Sequence, residues 1–481
     1  MRLLTTDGYK FSMAEAGWPL RRETFYYAHR KGGPAVVPFD VRAELATLLP
    51  EAMPEDYAYL AAQQYEAGAG LKAAIADRAG IVVRALPKGA VFLPREPIFA
   101  ITGPSAIVSW LEPLVLQLHY RIQIVTLAKS DPAALAAEVA VVTCDEQRDL
   151  VREVLEANGV SAPPIRVDAE GYFARVRGVV AELCAIVGDP GRIFEVGLRA
   201  ATCVAQHRIA LEACKAEGVA RTSHVGGARE LGMIPVGTMG HEHVQRFGSD
   251  AAACRAMRDR RPGRSSYLLD TFDTIGSGIP AAFALMEEDG RRGDSIRYDS
   301  GDKEVQYRHA AAEAKRRGLR PVQILEDSFD APLTQRFESL RAELGLGPEE
   351  QFYGYGGHIV ARTSGSTLVR DRVAAVYKLS QTAAWPTMKF GDEAGAGKES
   401  VPGVPVVFRR AEGEGPRGVI GQAGEAAPVG YVQLTEGEPI AHPLGLESRD
   451  AEVVPSAQTQ RLVAALRAQR AVALGRRERE A

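Results

Sequence analysis

Short apolar runs that alternate with helix-like segments are the feature that most constrains the fold of this sequence. From about residue 190, each run ends in polar residues or glycine, and a segment of helical periodicity follows it. The runs span residues 192–198, 234–239, 265–271, 295–302, 321–328 and 351–357. One strand and one helix every ~25–40 residues form βα units with parallel strands, and a succession of such units favours a barrel over two open sheets. We therefore predict a parallel α/β barrel.

The sequence on either side of this region is typical of antiparallel strands. The stretch PKGAVFLPREPIFAITGP (87–104) carries prolines among alternating apolar residues, as edge strands do. After residue 375, the strand-like pieces VAAVYKL, TMKFGD, PVVFRR and VGYVQL are separated by glycine-rich turns such as DEAGAGKESVPG. We predict a smaller α+β domain, residues 1–115 completed by about residues 375–481, beside a barrel domain over residues 116–374. The charged end of the chain, from about residue 458, is expected to be a helix.

The composition argues against two classes of partner. With 58 basic and 61 acidic side chains the net charge is -3, which gives no field that would recruit nucleic acid or an acidic membrane. No stretch approaches the ~20 uninterrupted apolar residues of a membrane span, and the N-terminus lacks an apolar run of signal-peptide length. The 5 cysteines are scattered, which is typical of reduced thiols. We expect a cytoplasmic protein with no nucleic-acid or membrane partner.

Polar residues follow each predicted barrel strand, and all of them are expected at one face. In a parallel barrel the carboxyl ends of the strands converge on the rim where active sites form. The residues concerned are Arg199, His241, Glu242, Asp270, Asp273, Asp299, Asp302, Glu326, Asp327, Gly356 and Gly357. Asp273 or Asp302 taken alone is more often a helix N-cap. Their common position nevertheless predicts a functional site at this rim.

Two pairs of carboxylates and one glycine-rich segment indicate what the rim could bind. The motifs DTFD (270–273) and DSGD (299–302) hold carboxylates three residues apart, which suit a vicinal diol or a hydrated Mg²⁺. We expect Asp270 and Asp302 to be the Mg²⁺ ligands. The segment YGYGGHIVARTSGS (353–366) has glycines beside a late strand, where free backbone N–H groups can hold a phosphate. A simple turn is the alternative for this segment.

The stretch IPVGTMGHEHVQRF (234–247) places two histidines where a predicted strand gives way to a helix. Three interpretations compete: a metal site, a histidine that forms a covalent intermediate, and a polar turn. A metal site on His241 and His243 needs further ligands, for which His224 and His358 are the only rim imidazoles, and HExxH is absent. A nucleophilic histidine needs an accessible nitrogen near a phosphoryl donor and a partner for its other nitrogen. The neighbouring glycines and phosphate-suited loops favour a nucleophile at His241.

The motifs, in their order and spacing, resemble those of the nicotinate phosphoribosyltransferases. The resemblance runs from TDGYKFSM (6–13) and FYYAHRK (25–31) through LPKGAVFLPREPIFAITGP, FEVGLRAA, RTSHVGG and IPVGTMGHEHVQRF to LLDTFDT, IRYDSGD and YGYGGHIV. It implies a type II phosphoribosyltransferase fold, which is an irregular α/β barrel with a second domain built from both termini. It also implies a homodimer in which the TDxYK segment of one subunit completes the active site of the other.

The resemblance implies ATP-coupled transfer of phosphoribose from 5-phosphoribosyl 1-pyrophosphate to nicotinate, with Mg²⁺ as cofactor. His241 corresponds to the histidine that ATP phosphorylates, and Asp299 to a catalytic carboxylate that holds the ribose. Tyr9 corresponds to the aromatic residue that stacks on the pyridine ring. Gly356 and Gly357 correspond to the 5′-phosphate loop. The other residues that the resemblance assigns to substrate binding are Arg199, Thr238, Arg297, Ser300 and Gly301.

The choice of base depends on Arg297 and on the glycine loop. Arg297 lies two residues before Asp299 on one predicted strand, so both side chains project to the same face. Such an inward arginine either pairs with a neighbouring aspartate or binds the nicotinate carboxylate through two parallel hydrogen bonds. YGYGGHIV has two consecutive glycines, and in this it resembles the nicotinamide-using relatives. Nicotinate enzymes more often have a glycine followed by a threonine at this position. Two alternatives stay open: a nicotinamide phosphoribosyltransferase and a non-catalytic NAD-metabolite-binding relative. Quinolinate-using relatives are shorter, so the length of the chain disfavours them.

Overall fold

The computed structural model describes every residue except 1, 79, 262, 264, 291–293, 362–367, 391–398, 412–413, 438–444, 447–450 and 475–481. The N-terminal part of the chain forms α1 (Gly8–Ala16), β1 (Arg22–His29), β2 (Ala35–Val36), α2 (Val41–Leu48), α3 (Pro54–Ala62), α4 (Ala69–Ala76), β3 (Val82–Ala85), β4 (Val91–Phe92) and β5 (Pro97–Pro104). Within the described residues, no helix combines the length and the apolar character needed to cross a membrane.

A mostly helical segment connects this part to the barrel. Its elements are α5 (Ser105–Trp110), α6 (Glu112–Ser130), α7 (Pro132–Val139), β6 (Val141–Val142), α8 (Asp145–Glu156), β7 (Arg166–Val167) and α9 (Ala169–Val187). Pro113 in the first turn of α6 suits a helix start, because that position needs no N–H donor. α6 buries residues around its whole circumference, as an interior helix does. It packs against the 3₁₀ turn Leu198–Ala200, which carries Arg199.

Each of the six predicted runs contains a barrel strand. The barrel elements are β8 (Ile193–Glu195), α10 (Val204–Ala216), β9 (Arg221–Thr222), α11 (Val225–Leu231), β10 (Ile234–Pro235), α12 (His241–Phe247), α13 (Asp250–Arg260), β11 (Ser266–Leu268), α14 (Ile279–Asp289), β12 (Ser295–Tyr298), α15 (Lys303–Arg317), β13 (Val322–Leu325), α16 (Ala331–Glu343), β14 (Gln351–Tyr355) and α17 (Gly357–Val360). β9 was not predicted, because a strand of two residues carries no periodicity.

The barrel sheet is curled and fully parallel, and it is open at one position. The order of its strands in the described chain is β10-β9-β8-β14-β13-β12-β11, with parallel pairing throughout. β10 and β11 are consecutive in sequence yet stand at opposite edges, and α12 and α13 occupy the connection between them. The predicted irregular α/β barrel is therefore confirmed. The gap lies where the chain enters α12, whose first residue is His241.

The remaining elements come from the C-terminal part of the chain. They are α18 (Arg370–Val373), β15 (Ala375–Thr382), β16 (Trp385–Pro386), β17 (Pro405–Arg410), β18 (Gly418–Gln422), β19 (Tyr431–Gln433), β20 (Val453–Pro455) and α19 (Ala457–Ala473). The last four strands form a separate sheet of order β19-β17-β18-β20. The predicted terminal helix corresponds to α19, and the chain beyond residue 474 lies outside the described residues.

A second large sheet joins the two ends of the chain. Its order is β16-β15-β1-β5-β3, and all of its pairs are antiparallel. The prediction of an additional α+β part built from both termini is therefore confirmed, whereas the boundaries at residues 115 and 375 stay a prediction. The antiparallel strands predicted for residues 87–104 are β4 and β5; β5 lies inside the sheet, with Pro97 and Pro104 at its ends, where a missing N–H is tolerated. TMKFGD forms no strand over residues 387–390, and its last two residues lie outside the described chain.

Helix α1 joins the two main hydrophobic cores. Tyr9 and Met13 belong to the core formed by the barrel and its helices. Phe11, between them in sequence, belongs to the core under the five-stranded sheet. A helix that contributes to two cores in this way is fixed from opposite sides, and it holds the TDGYK segment against the open edge of the barrel.

Candidate active site

Two neighbouring cavities, which share part of their lining, lie at the carboxyl ends of the barrel strands. The inner pocket has a volume of about 70 Å³ and is bordered by Tyr9, His241 and Arg297. The outer cavity has a volume of about 490 Å³ and is bordered by Gly356 and Gly357. Three side chains border both spaces: Arg199, Asp299 and Glu326. Most of the predicted rim residues therefore border these two neighbouring cavities, which we call the cleft: the inner pocket is its narrow part and the outer cavity its wide part.

His241 lies at the inner end of this cleft with both ring nitrogens engaged. Its Nδ1 is 3.0 Å from Thr271 Oγ1, and its Nε2 is 2.7 Å from Lys389 Nζ and 3.0 Å from Asp299 Oδ2. Burial and the neighbouring Lys389 ammonium lower the pKa of the imidazole, which favours its neutral form. Lysine can only donate, so in the neutral form Nε2 accepts from Lys389, and Nδ1 carries the proton that it donates to Thr271. The Nε2 lone pair is thereby directed at Lys389 Nζ, next to Asp299 at the border of the cleft.

Asp270 and Asp299 place two carboxylates on the same side of this imidazole. Asp270 is fully buried, accepts a hydrogen bond from Ser300 and lies 3.3 Å from Lys389 Nζ. Burial alone would raise the pKa of Asp299, but its contact with His241 and the positive charges of Lys389 and Arg297 outweigh burial and hold the pKa well below its usual range. The Asp299 carboxylate is therefore an anion that faces the cleft, where its side chain is 29% exposed.

The three ligand-type side chains of this cluster could surround a cation, but a lysine already lies among them. Atoms of His241, Asp270 and Asp299 lie within 4.8 Å of one another. Lys389 Nζ lies within 4 Å of all three, so its ammonium supplies the positive charge that such a cluster requires. Among the described residues Asp270 Oδ1 has no hydrogen-bond partner. Together with Asp299, this oxygen fits Mg²⁺, which prefers a few oxygen ligands beside its waters.

Asp302, the second predicted Mg²⁺ ligand, does not join this cluster. It is exposed, and its Oδ1 accepts a hydrogen bond of 3.1 Å from the Val305 backbone N–H, so it caps α15. The structure therefore does not bring the two predicted Mg²⁺ ligands, Asp270 and Asp302, together. The reason is local, since β12 ends at Tyr298 and Asp302 has already turned away into the helix cap. Asp273 likewise caps the π-helical turn Thr274–Gly278.

The structure does not bring the two neighbouring histidines together as ligands of one metal ion. His243 is fully buried, and its Nε2 lies 3.0 Å from the Ala253 carbonyl oxygen. Residues 241 and 243 are two apart on α12, and side chains at that spacing do not share a helix face. His224 is engaged elsewhere, with its Nδ1 3.1 Å from His207 Nδ1. His243 is thus part of the packing, whereas His241 alone faces the cleft.

Glycines before His241 allow α1 to pack directly onto this loop. A Cβ atom at Gly237 would overlap the backbone nitrogen of Tyr9, and one at Gly240 would lie 3.3 Å from the Tyr9 ring. The Tyr9 hydroxyl donates to Glu112 over 2.7 Å, and Lys10 forms ion pairs with both Glu112 and Glu242. Tyr9 therefore borders the pocket of its own chain; that this segment completes the active site of a second subunit stays a prediction.

Two arginines line the inner pocket, and both have acidic neighbours. Arg297 donates to Thr238 Oγ1, and its Nε lies 3.6 Å from Glu326 Oε2. The partner is thus a glutamate at the end of the adjacent strand β13, not the aspartate that the sequence suggested. Burial raises the pKa of Glu326, Arg297 opposes this, and Asp299 adds to it. Arg199 lies 3.9 Å from the nearest oxygen of Glu112 and keeps a side chain that is 32% exposed.

The predicted phosphate loop borders the outer cavity. Gly356 directly precedes α17, and Gly357 is its first residue. A Cβ atom at Gly356 would lie 3.1 Å from the Val196 carbonyl oxygen, so a side chain there would contact the loop that follows β8 too closely. Gly301 has a φ of +85°, which glycine adopts without strain, and allows the turn between Ser300 and α15. The rest of the predicted segment, residues 362–366, lies outside the described residues.

Sequence reasoning missed two lysines of the inner site. Lys389 comes from TMKFGD, which was interpreted as a plain strand, and it is 148 residues from His241. Lys378 on β15 borders the inner pocket, where burial and then Lys389 lower its pKa to about 8. No local motif marks either residue, because both reach the cleft only through the sheet that joins the two ends of the chain.

Comparison with known proteins agrees with this fold. No family model matches the chain. A nicotinate phosphoribosyltransferase from Mycobacterium tuberculosis is 35% identical over 113 residues, 23% of this chain and 24% of that protein. A nicotinate phosphoribosyltransferase from Bos taurus is 26% identical over 351 residues, 69% of this chain and 61% of that protein. The matched part of the chain thus spans less than two thirds of these relatives.

Solved structures match over a larger part of the chain. A nicotinate phosphoribosyltransferase from Porphyromonas gingivalis has a TM-score of 0.60 at 18% identity, covering 83% of this chain and 95% of that one. A structure from Saccharomyces cerevisiae titled as a putative nicotinate phosphoribosyltransferase has a TM-score of 0.61 at 17% identity, covering 82% and 94%. At this identity the likeness shows the fold. With the curated relatives, it confirms the resemblance to the nicotinate phosphoribosyltransferases that the motifs indicated.

Proposed function

We propose that this chain transfers phosphoribose from 5-phosphoribosyl 1-pyrophosphate to nicotinate, giving nicotinate mononucleotide and pyrophosphate in NAD salvage. The observation that carries the proposal is the two-part cleft, whose narrow and wide parts meet at Arg199 and Asp299. A flat aromatic acid suits the narrow part beside Tyr9, and a phosphorylated sugar suits the wide part beside Gly356. The names of the relatives support the same assignment.

In the proposed reaction, the ring nitrogen of nicotinate attacks C1 of the ribose while the C1–O bond to pyrophosphate breaks. Tyr9 stacks on the base, and Arg297 binds its carboxylate. Asp299, at the junction of the two cavities, accepts hydrogen bonds from the ribose hydroxyls. The backbone beside Gly356 and Gly357 holds the 5′-phosphate. Each group thereby acts mainly by positioning the two reactants, which can supply a large part of a rate enhancement.

The proposed coupling to ATP proceeds through His241. Nε2 attacks the γ-phosphorus, ADP leaves, and Thr271 retains the proton on Nδ1. Lys389 then lies beside the new phosphoryl oxygens and offsets their charge. A later water attack on phosphorus restores the free imidazole and releases phosphate. A non-catalytic NAD-metabolite-binding protein would have no use for a neutral imidazole held in this way.

Mg²⁺ is the proposed cofactor, and the proposed partner is a second copy of the chain. Asp299 and Asp270 would hold the ion, which supplies charge neutralisation to the pyrophosphate. The proposed assembly is the homodimer with shared active sites that the resemblance implies, and the Tyr9 of each chain also borders that chain's own pocket.

Product analysis tests the proposal directly. The purified chain is incubated with 5-phosphoribosyl 1-pyrophosphate, Mg²⁺ and either nicotinate or nicotinamide, with and without ATP, and the nucleotides are separated chromatographically. We expect nicotinate mononucleotide, with ADP released in step with the product when ATP is present. The absence of any mononucleotide under all conditions would contradict the proposed function.

Replacing Arg297 by lysine should weaken the binding of nicotinate selectively. The planar guanidinium can form two parallel hydrogen bonds to a carboxylate, which a lysine ammonium cannot reproduce. We expect Arg297→Lys to raise the KM for nicotinate at least ~10-fold, or about 1.4 kcal/mol, while nicotinamide turnover changes little. Steady-state kinetics with both bases measures this. Equal losses for both bases would mean that Arg297 serves the phosphoribose or the fold.

Removing the ammonium beside His241 should slow phosphorylation and change its pH dependence. Lys389 lowers the pKa of His241, so Lys389→Met should raise that pKa. The neutral imidazole is lost as the pH falls through its pKa, and the acid limb of the labelling rate should therefore move to higher pH. We also expect the labelling rate at the high-pH plateau to fall ~10-fold, which is the lower end of the effect expected when a hydrogen bond to a charged group is lost. Rapid-quench labelling with γ-labelled ATP from pH 5 to 9 measures both changes; an unshifted profile would contradict the assigned contact.

A further inference from the structure

Glu326 is a carboxylate at the junction of the two cavities that the proposed reaction does not use. It directly follows β13, borders both spaces, and has a side chain that is 13% exposed. Gly354 on the neighbouring strand makes room for it, since a Cβ atom there would lie 2.5 Å from Glu326 Cγ. The side chain is thereby laid over β14 and directed toward Arg297.

The pair formed by Glu326 and Arg297 is open to a further ligand. Their contact is 3.6 Å between Oε2 and Nε, which is longer than a hydrogen bond. Among the described residues Arg297 Nε has no hydrogen-bond partner. A donor and an acceptor thus stand side by side at the inner pocket without satisfying each other, and a group that combines one acceptor and one donor would complete both.

This arrangement treats the two pyridine bases differently. A carboxamide has an oxygen that accepts from Arg297 and an N–H that donates to Glu326, so it matches the pair. A carboxylate has only acceptors: it gains the guanidinium but is repelled by the second carboxylate. Glu326 therefore reduces the advantage that Arg297 gives to the acid.

We propose that Glu326 is a specificity-determining residue, which accepts a hydrogen bond from the carboxamide of nicotinamide and lowers the preference of the pocket for nicotinate. The inference rests on the proposed function and specifies its base: the chain uses both nicotinate and nicotinamide, with a narrow ratio between them. Charge at position 326, not pocket size, sets that ratio.

The test compares Glu326→Gln with wild type, using kcat/KM for each base at saturating 5-phosphoribosyl 1-pyrophosphate. Glutamine keeps the shape and the amide-accepting oxygen but removes the charge. We expect kcat/KM for nicotinate to rise so that its ratio to nicotinamide increases at least ~10-fold, while kcat/KM for nicotinamide changes less than ~3-fold. Thermal unfolding of both proteins shows whether the variant is folded.

The matched control is Asp327→Asn, which removes one negative charge at the next residue, where the chain has a φ of 58° that asparagine tolerates. Asp327 borders only the outer cavity, so we expect this variant to leave the ratio of the two bases unchanged. Binding of each base measured by calorimetry with a non-reactive phosphoribosyl analogue gives a readout that does not depend on turnover. If the wild-type chain forms no mononucleotide from either base, the proposed function fails. If it forms product but Glu326→Gln leaves the ratio of the two bases unchanged, only the role of Glu326 is overturned. The same holds if Asp327→Asn shifts this ratio as much as Glu326→Gln does.

Discussion

ATP that carries a labelled γ-phosphate is expected to label the wild-type chain and to leave no label on the His241→Ala variant. The label should be acid-labile and base-stable, as expected of a phosphorylated imidazole, and it should lie on Nε2. The physical reason is that Thr271 engages the protonated Nδ1, which leaves the lone pair on Nε2, beside Lys389 and Asp299 at the border of the cleft. ATP hydrolysis should fall at least ~10³-fold, since the covalent route is lost with its nucleophile. Labelling followed by peptide mapping, with ADP release measured in parallel, provides the data.

His243 is the control for this experiment, because it lies two residues further along the same helix. It bonds the Ala253 carbonyl oxygen and is fully buried, so His243→Asn should lower the free energy of unfolding while the folded fraction still takes up label. Label that persists in His241→Ala, or that maps to His243, would refute the assignment of the nucleophile.

The Asp299→Ala variant should bind 5-phosphoribosyl 1-pyrophosphate more weakly by ~2–4 kcal/mol, which corresponds to ~30- to 1000-fold in Kd. The positive charges of Lys389 and Arg297 favour the anionic form of the carboxylate, which faces the junction of the cavities, where a ribose diol or Mg²⁺ would lie. Removing it deletes a charged hydrogen-bonding group without opening the apolar core. Titration calorimetry with Mg²⁺ present measures the affinity.

Asp302 provides a matched control within the same DSGD motif. Because it caps α15, Asp302→Ala should lower stability by about 1 kcal/mol and leave the affinity for 5-phosphoribosyl 1-pyrophosphate within ~2-fold. The opposite pattern, with affinity lost at Asp302 and only stability lost at Asp299, would mean that the two roles have been exchanged.

Several features of this protein were determined by local sequence alone. The six apolar runs became six parallel strands, because alternating strand and helix periods leave few other arrangements. The rim position of His241 followed from the same pattern, since polar residues after parallel strands meet at one face. The glycines before it were also informative, as Gly237 and Gly240 lack the side chains that would displace Tyr9. Each of these conclusions depends on residues that are close together in the chain.

The tertiary structure alone decided which charges meet. From the sequence we predicted that Asp270 and Asp302 bind one ion and that an aspartate is the alternative partner of Arg297. In the structure Asp270 forms an ion pair with Lys389, and Arg297 forms one with Glu326. Whether such an aspartate is a helix cap or faces the cleft depends on where the preceding strand ends, and β12 ends at Tyr298, before Asp299. Lys389 reaches His241 across 148 residues through a sheet that joins both ends of the chain. Periodicity carries no information on contacts at that separation, because long-range neighbours are set by packing of the whole fold.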